Sequence, residues 1–301
     1  MKKYLYPIFV IVPMLVIFSS CEEPKPEAWL WNADDSLAIM ELVEPQKGFL
    51  SSKDFIPSSA ISISFPAELI EQIKSDTSYN RYLVKEFSFS LTDSVFAYKF
   101  ESAVDTTVTG YVYDTLKGQI TLSVDSFFAQ GSELPEALDT SFTKALRYSS
   151  RNAIFFDSLG GDSKWRIAKY SGGCDGQSPD VSASPVLDSL KLDFGSKNLT
   201  VIFPADTILY GIRGLHEPSK FVSISSGQSI SIAGVYPKET DTIVLYVKGE
   251  GGWIPYTDGI SLAFSKKGLQ RIYVIGISLK SILTATGEWS SVIWGLPIVV
   301  N

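Results

Sequence analysis

The sequence predicts a mainly β protein with two domains, an N-terminal α+β domain and a C-terminal antiparallel β-sandwich of Ig-like type. Helical apolar patterns occur only near the N-terminus, within residues 34–75. Beyond residue 80, β-branched and aromatic residues alternate with polar ones between turn residues, which is the pattern of β-strands. A run rich in Gly, Ser and Pro at 171–185 divides the chain, as a linker would.

Composition excludes several classes of protein. The chain has 301 residues, of which 45% are hydrophobic, so global disorder is excluded. Its formal net charge of -7 disfavours binding to nucleic acid. The two cysteines are too few for a disulfide framework.

The N-terminus has the pattern of a secretory signal peptide. Lys2 and Lys3 precede an apolar run at 4–18, and small residues follow the run. A membrane-spanning helix needs about 20 apolar residues. This run is shorter and contains Pro7 and Pro13, so a transmembrane anchor is the less favoured alternative.

The end of this signal, Ile-Phe-Ser-Ser-Cys at 17–21, resembles the lipobox of bacterial lipoproteins. The resemblance implies cleavage before Cys21 and a diacylglyceryl group on its sulfur. Phe18 departs from the leucine that the family usually has at that position. Residues 1–20 are then the signal peptide and 21–30 the lipidated cysteine and its tether. An ordinary secreted protein with an incidental Cys21 is the alternative.

The residues after Cys21 predict an extended tether, since 22–28 are charged and Pro-rich. Glu22 and Glu23 resemble the surface-export signals of Bacteroidetes-type lipoproteins. We therefore expect a lipid-anchored protein of the cell envelope, in the outer membrane. The sequence is compatible with either the periplasmic or the surface face of that membrane.

The α+β domain, 31–173, begins with a predicted helix at 34–44, which acidic first-turn residues open and Pro45 ends. A second helix is predicted from Pro66, and strands follow. Five Asp-Ser or Asp-Thr pairs are predicted to form turns between those strands, because their side chains bond nearby amides. They lie at 93–94, 105–106, 114–115, 125–126 and 157–158.

The end of this domain, residues 150–173, resembles the closing hairpin of bacterial NTF2-like and cystatin-like proteins. The residues that carry the resemblance are Arg-Asn-Ala-Ile-Phe-Phe at 151–156, Gly-Gly at 160–161, and a strand that begins at Lys164. In that family a Trp on the last strand packs into a cone-shaped sheet. The resemblance implies such a cone for this domain, and a generic α+β or all-β domain is the alternative.

Residues 174–185 are the predicted linker and 186–301 the β-sandwich. Net charge is -9 over 22–175 and zero over 176–301, which indicates two different surfaces. The sandwich prediction depends on short β-branched segments with turns between them. They lie at 190–194, 199–203, 208–212, 221–225, 229–233, 242–247, 262–264, 270–277 and 292–300.

Catalytic motifs are missing from the sequence. The one histidine, His216, has no second histidine at metal-binding spacing, and Cys174 has no nearby cation that would activate a thiol. We therefore predict no catalytic residues, no metal and no cofactor. Three carboxylates, Glu41, Glu101 and Asp105, are formal candidates for acid-base chemistry, although a solvated face or a turn explains each of them better.

Aromatic residues are the best binding signal. Trp253 and Tyr256 lie in a glycine- and proline-containing segment, 251–259, where such rings can stack on a sugar or pack on a partner. A structural role in the loop is the alternative. Trp289 and Trp294 flank the last strand and are expected in the core.

These observations predict a membrane-anchored envelope lipoprotein without catalytic activity, which binds a protein partner or a small ligand and no nucleic acid. Two alternatives remain open. One is a glycan-binding surface lipoprotein that uses Trp253 and Tyr256. The other is an enzyme with a carboxylate in a pocket of the N-terminal domain.

Overall fold

The structure, a computed structural model, is mainly β, as the sequence predicts. It describes residues 33–46, 51, 53, 56–65, 67–104, 107–159, 164–171, 174–177, 185–195, 198–202, 209–211, 223–237 and 243–301. In these residues the α-helices are Ala33–Val43 (α1), Ala67–Ser75 (α2) and Leu279–Leu283 (α3), and a 3-10 helix at Glu44–Gln46 follows α1 directly. The strands are Ile61–Ser62 (β1), Arg81–Val104 (β2), Thr107–Phe128 (β3), Glu136–Ser158 (β4), Trp165–Ser171 (β5), Cys174–Gln177 (β6), Leu187–Asp193 (β7), Asn198–Val201 (β8), Leu209–Gly211 (β9), Ser223–Ile224 (β10), Ser229–Pro237 (β11), Ile243–Gly249 (β12), Gly252–Pro255 (β13), Ile260–Ala263 (β14), Gly268–Ser278 (β15) and Ser291–Val300 (β16).

The two predicted N-terminal helices are confirmed as α1 and α2. Asp34 and Asp35 lie in the first turn of α1, where carboxylates favour the helix dipole. The third helix, α3, was not predicted. Its five residues are too few to show a helical period in the sequence. Tertiary packing stabilises this helix, since Ile282 and Leu283 are buried.

Three strands of unusual length dominate the N-terminal half. β2, β3 and β4 contain 24, 22 and 23 residues and pair antiparallel over nearly their whole length. At about 3.3 Å per residue, each spans roughly 70 to 80 Å. Burial alternates residue by residue along most of β3, so one face of this long sheet lies on a core.

Four of the predicted turns are wrong. Residues 93–94, 114–115 and 125–126 lie inside β2 and β3, and 157–158 are the last two residues of β4, where they pair with β5. Two of them coincide with β-bulges instead. The pairing of β2 with β3 shifts register between Leu91 and Asp93, and the pairing of β3 with β4 shifts between Val124 and Ser126. Asp and Ser accommodate such local irregularity as well as they accommodate a turn. Residues 105–106 lie outside the described residues.

Among the described residues, twelve strands form one sheet and four form another. The main path of the large sheet runs β1-β2-β3-β4-β6-β16-β15-β12-β13, with β5 beside β4, β9 beside β5 and β10 beside β16. The second sheet has the order β14-β11-β7-β8. All pairs are antiparallel except β10 with β16. The short strand β6 lies inside the predicted linker and joins β4 to β16.

The C-terminal strands enclose one core between two sheets, which is a β-sandwich arrangement. The second sheet contributes residues such as Leu190 and Ile232, and the large sheet contributes Val274 and Trp294. An Ig-like topology for this part stays a prediction.

The other face of β12, β15 and β16 packs on the long sheet. This second core contains Phe87 and Tyr148 from the long strands and Ile275 and Trp289 from the C-terminal part. The two predicted halves therefore share a core as well as a sheet. Their division into separate domains at 174–185 stays a prediction.

The predicted hairpin at the end of the first half is present as β4 and β5. Trp165 pairs with Ser158 and is only 6% exposed. It packs with α1 residues such as Ile39 and Val43 on the far end of the long sheet, in a third core. The NTF2-like cone itself stays a prediction.

Two buried cations of the long strands bind backbone carbonyls at the ends of short helices. Arg81 donates to Ile73 O and, at 2.9 Å, to Ser132 O. Lys144 donates to Ser281 O at 2.9 Å, and burial lowers the pKa of its amine to about 8. Both cations therefore satisfy carbonyl groups that the short helices leave open.

Candidate functional site

The outer edge of β2 is a long strand edge of the large sheet. At its start, β1 pairs with Glu86 and Phe87 and the amide of Ile63 donates to Lys85 O at 2.8 Å. Past Phe87, no described strand lies beside β2 on the side away from β3. An extended edge of this kind is a template to which another strand can be added.

The middle of this edge is regular. Between Asp93 and Phe100 the pairing of β2 with β3 has no register shift, whereas shifts flank this segment on both sides. The hydroxyl of Thr92 donates to Lys117 O at 3.2 Å, beside the first shift. A regular segment of eight residues is long enough for a full strand pairing. We call Asp93–Phe100 the β2 edge segment.

The β2 edge segment has one exposed and one packed face. Asp93, Val95, Ala97 and Lys99 are exposed, and Val95 keeps 48% of its surface in solvent. The alternate residues are half-buried, and the rings of Phe96 and Tyr98 meet edge to face at 5.4 Å. The packed face holds the strand in place, and the side chains of the other face are exposed.

A shallow cleft lies behind the packed face, between the end of α1 and the long sheet. It is too shallow to hold a water molecule. The side chain of Phe100 covers Gly110, where a Cβ would come within 3.0 Å of that ring. The lining is apolar and aromatic and consists of Val43, Tyr98, Phe100, Gly110, Tyr111, Val112, Ile154 and Phe156.

A buried carboxylate lies near this cleft but does not line it. Asp114 is 2% exposed on the inner face of β3, opposite Ser150 of β4. Ser51 donates its hydroxyl to Asp114 Oδ2 at 2.9 Å. Asp114 was predicted to lie in a turn, whereas it lies inside β3. The alternation of Val112, Asp114 and Leu116 was the signal that could have placed it inside.

The outer face of the long sheet carries a small aromatic and basic cluster. The guanidinium of Arg151 lies 5.7 Å from the ring centroid of Tyr111, in cation-π geometry. The rings of Tyr111 and Tyr113 are 6.3 Å apart. Because Tyr113 is opposite Ala97 in the pairing, this cluster adjoins the β2 edge segment.

The structure does not bring Trp253 and Tyr256 together. Trp253 packs on the core shared with the long sheet, 6.3 Å from the Tyr273 ring, and its buried Nε1 has no hydrogen-bond partner among the described residues. Tyr256 packs on the sandwich core, and its hydroxyl donates to Asp258 at 2.7 Å and accepts from the amide of Val235 at 3.1 Å. The two rings therefore pack on different cores, and a binding role for them stays a prediction.

The other singled-out residues are dispersed. Glu41 is exposed on α1, and Glu101 lies in β2. Cys174 lies in β6, within the run that was expected to be a linker. Cys21, Asp105 and His216 lie outside the described residues. Trp289 and Trp294 are 1% and 2% exposed, so their expected place in the core is confirmed.

Within the described ranges, no group of three or more His, Cys, Asp or Glu side chains could hold a metal ion. No helix of the described part is long and apolar enough to cross a bilayer. No protein-family model matches the chain, and comparison with curated proteins and with solved structures gives no match.

Proposed function

We propose that this protein is a lipid-anchored lipoprotein of the cell envelope, without catalytic activity, that binds a protein partner through the edge of β2. The single observation that carries the partner binding is the regular β2 edge segment, whose outward side chains are exposed and beside which no described strand lies. The anchor at Cys21 and the place in the outer membrane are proposed from the lipobox resemblance alone.

Strand addition suits this edge for energetic reasons. A strand at a sheet edge has backbone N–H and C=O groups directed away from the sheet, and an added strand can bond them. The added strand would also cover apolar surface, because Val95 and Leu91 are 48% and 37% exposed. Soluble proteins commonly shield long edges, so a long edge with exposed apolar residues indicates a binding role.

The geometry favours this function over the two alternatives. A glycan platform needs coplanar exposed rings, whereas Trp253 and Tyr256 pack on different cores. Acid-base chemistry needs a carboxylate in an accessible pocket. Two carboxylates are buried among the described residues: Asp35 accepts a hydrogen bond from Trp165 and Asp114 accepts one from Ser51. The cleft near Asp114 has an apolar lining.

Site-specific photo-crosslinking tests the proposal in cells that make the full chain. A benzophenone amino acid is placed at Val95 on the edge, or at Gln119, an exposed control position on the central strand β3. We expect a crosslinked protein from Val95 and none from Gln119. Mass spectrometry identifies the partner. Absence of any protein crosslink at Val95, with the chain folded and membrane-bound, would overturn the proposal.

A further inference from the structure

We infer that the outer face of the long sheet holds a binding site for a phosphate monoester, built by Lys117 and Arg147 on neighbouring strands. The site lies on the face of the sheet and not on its edge, and it goes beyond the proposed function. It follows from two cations that the strand pairing places side by side without an acidic partner.

The pairing of β3 with β4 sets these two cations directly opposite each other. Lys117 is the cross-strand partner of Arg147, and both side chains are exposed. Cβ atoms of such partners are about 4.5 to 5.5 Å apart, and like charges at this spacing destabilise a sheet. A single anion between the two side chains can contact both cations and remove their repulsion.

Neither cation has an acidic partner in the described part of the chain, where the ion pairs are made by other residues. Asp93 of β2 is the third member of the same cross-strand row, opposite Lys117, but it makes no ion pair with that amine. The row therefore carries two positive charges and one negative charge. This local excess of positive charge lies in a half of the chain whose net charge is -9.

Two hydroxyl groups adjoin the cations on the same face. Thr115 and Ser149 face each other on the next row, and their hydroxyl oxygens are 3.5 Å apart. Residues two apart in a strand are separated by about 7 Å, so these hydroxyls lie near an anion that the cations hold. The side chains between the two rows, Leu116 and Tyr148, are buried and fix the strands beneath the site.

This set of donors suits a doubly charged tetrahedral oxyanion. A guanidinium can bond two oxygens as a fork, and an ammonium and two hydroxyls can bond the others. A carboxylate has only two oxygens and one charge, which Arg147 alone would satisfy. A phosphate monoester has three terminal oxygens and close to two charges at neutral pH. It therefore uses both cations and the hydroxyls.

Calorimetric titration of the full chain, purified in detergent, tests the site. The first ligand is glycerol 3-phosphate, a soluble phosphate monoester. Methyl sulfate, a tetrahedral anion with a single charge, is the control at the same ionic strength. Phosphatidic acid in the detergent micelles presents the same phosphate group on a lipid, so it distinguishes a lipid headgroup from a soluble ester.

We expect Lys117→Gln and Arg147→Gln each to weaken phosphate binding about tenfold, because each removes one charged donor. Asp93→Asn should strengthen binding, since it removes a negative charge beside the site. Lys267→Gln is the matched control, because it removes an exposed cation between β14 and β15 and should leave the affinity unchanged. Loss of either cation also relieves a like-charge pair, so the unfolding temperature should not fall. Weaker binding is then not a folding defect.

Three results would overturn the inference. The first is no binding of either phosphate ligand, and the second is equal binding of methyl sulfate and glycerol 3-phosphate. The third is the same phosphate affinity in the unchanged chain, Lys117→Gln and Arg147→Gln. Binding of glycerol 3-phosphate supports a soluble ester as the ligand, whereas binding of phosphatidic acid alone supports a lipid headgroup.

Discussion

The indole N–H of Trp165 donates a hydrogen bond of 3.0 Å to Oδ1 of Asp35, and both residues are 6% exposed. This bond connects the start of β5 with the first turn of α1, which are 130 residues apart in the sequence. It fixes the helix on the far end of the long sheet. A buried charged acceptor makes such a bond stronger than one between neutral groups.

Removal of this acceptor should destabilise the protein. Asp35→Ala leaves the buried indole N–H of Trp165 without this bond, and we expect a loss of about 1.5 to 3 kcal/mol in the free energy of unfolding. Urea denaturation followed by tryptophan fluorescence measures the loss. Asp34 is the matched control, since it is an exposed carboxylate in the same turn. Asp34→Ala should change stability by less than about 0.5 kcal/mol. Equal losses in both variants would contradict the assigned role of the bond.

Lys144 should make stability depend on alkaline pH. Burial lowers the pKa of its amine from 10.5 to about 8 in the folded chain. Between those two values the unfolded state binds the proton and the folded state does not, so stability rises with pH. Burial of the protonated Lys144 amine destabilises the fold fully below pH 8. Between the two pKa values, the free energy of unfolding rises by up to about 1.4 kcal/mol per pH unit.

Lys144→Met should remove this contribution to the slope, whereas Lys117→Met, at an exposed position of β3, should retain it. Denaturant titrations at several pH values between 7.5 and 10 compare the three proteins. A slope that is the same in the unchanged chain and in Lys144→Met would show that the amine is not the source.

Gly118 should not tolerate a side chain. A Cβ at this position would overlap the carbonyl oxygen of Ser90 on β2, which is backbone and cannot rotate away. We expect Gly118→Ala to cost about 1 to 3 kcal/mol, the usual range for overpacking. Gly251 is the control, because a Cβ there has no neighbour within 4 Å. Thermal unfolding should show a lower midpoint for Gly118→Ala alone, and an unchanged midpoint would mean that the two strands are further apart than described.

Cys21 should carry the lipid. Cells fed with labelled fatty acid are expected to label the full chain and to leave Cys21→Ala unlabelled, since the thioether needs the cysteine sulfur. Cys174→Ser serves as the control and should keep its label. Two results would contradict the proposed anchor. One is label on Cys21→Ala, and the other is no label on the unchanged chain.

The two N-terminal helices and most C-terminal strands were predictable because local patterns specify them. Asp34 and Asp35 favour the start of α1 through the helix dipole, and Pro45, which lacks a backbone donor, follows its end. The β-branched segments predicted at 270–277 and 292–300 are present as β15 and β16. Burial in those strands is close to continuous, and the sequence shows it as nearly unbroken apolar runs.

Only the tertiary structure decided which strands pair, since strand pairing depends on residues far apart in the chain. Asp114 has the same local sequence signal as a turn residue, but its position opposite Ser150 places it in a strand. The same holds for β6, which lies in a glycine- and serine-containing run that resembles a linker, but which pairs with β4 on one side and β16 on the other. Local sequence determines the elements and their amphipathic faces. The partner of each strand, and therefore the outer edge of β2, depends on which hydrophobic faces are buried together.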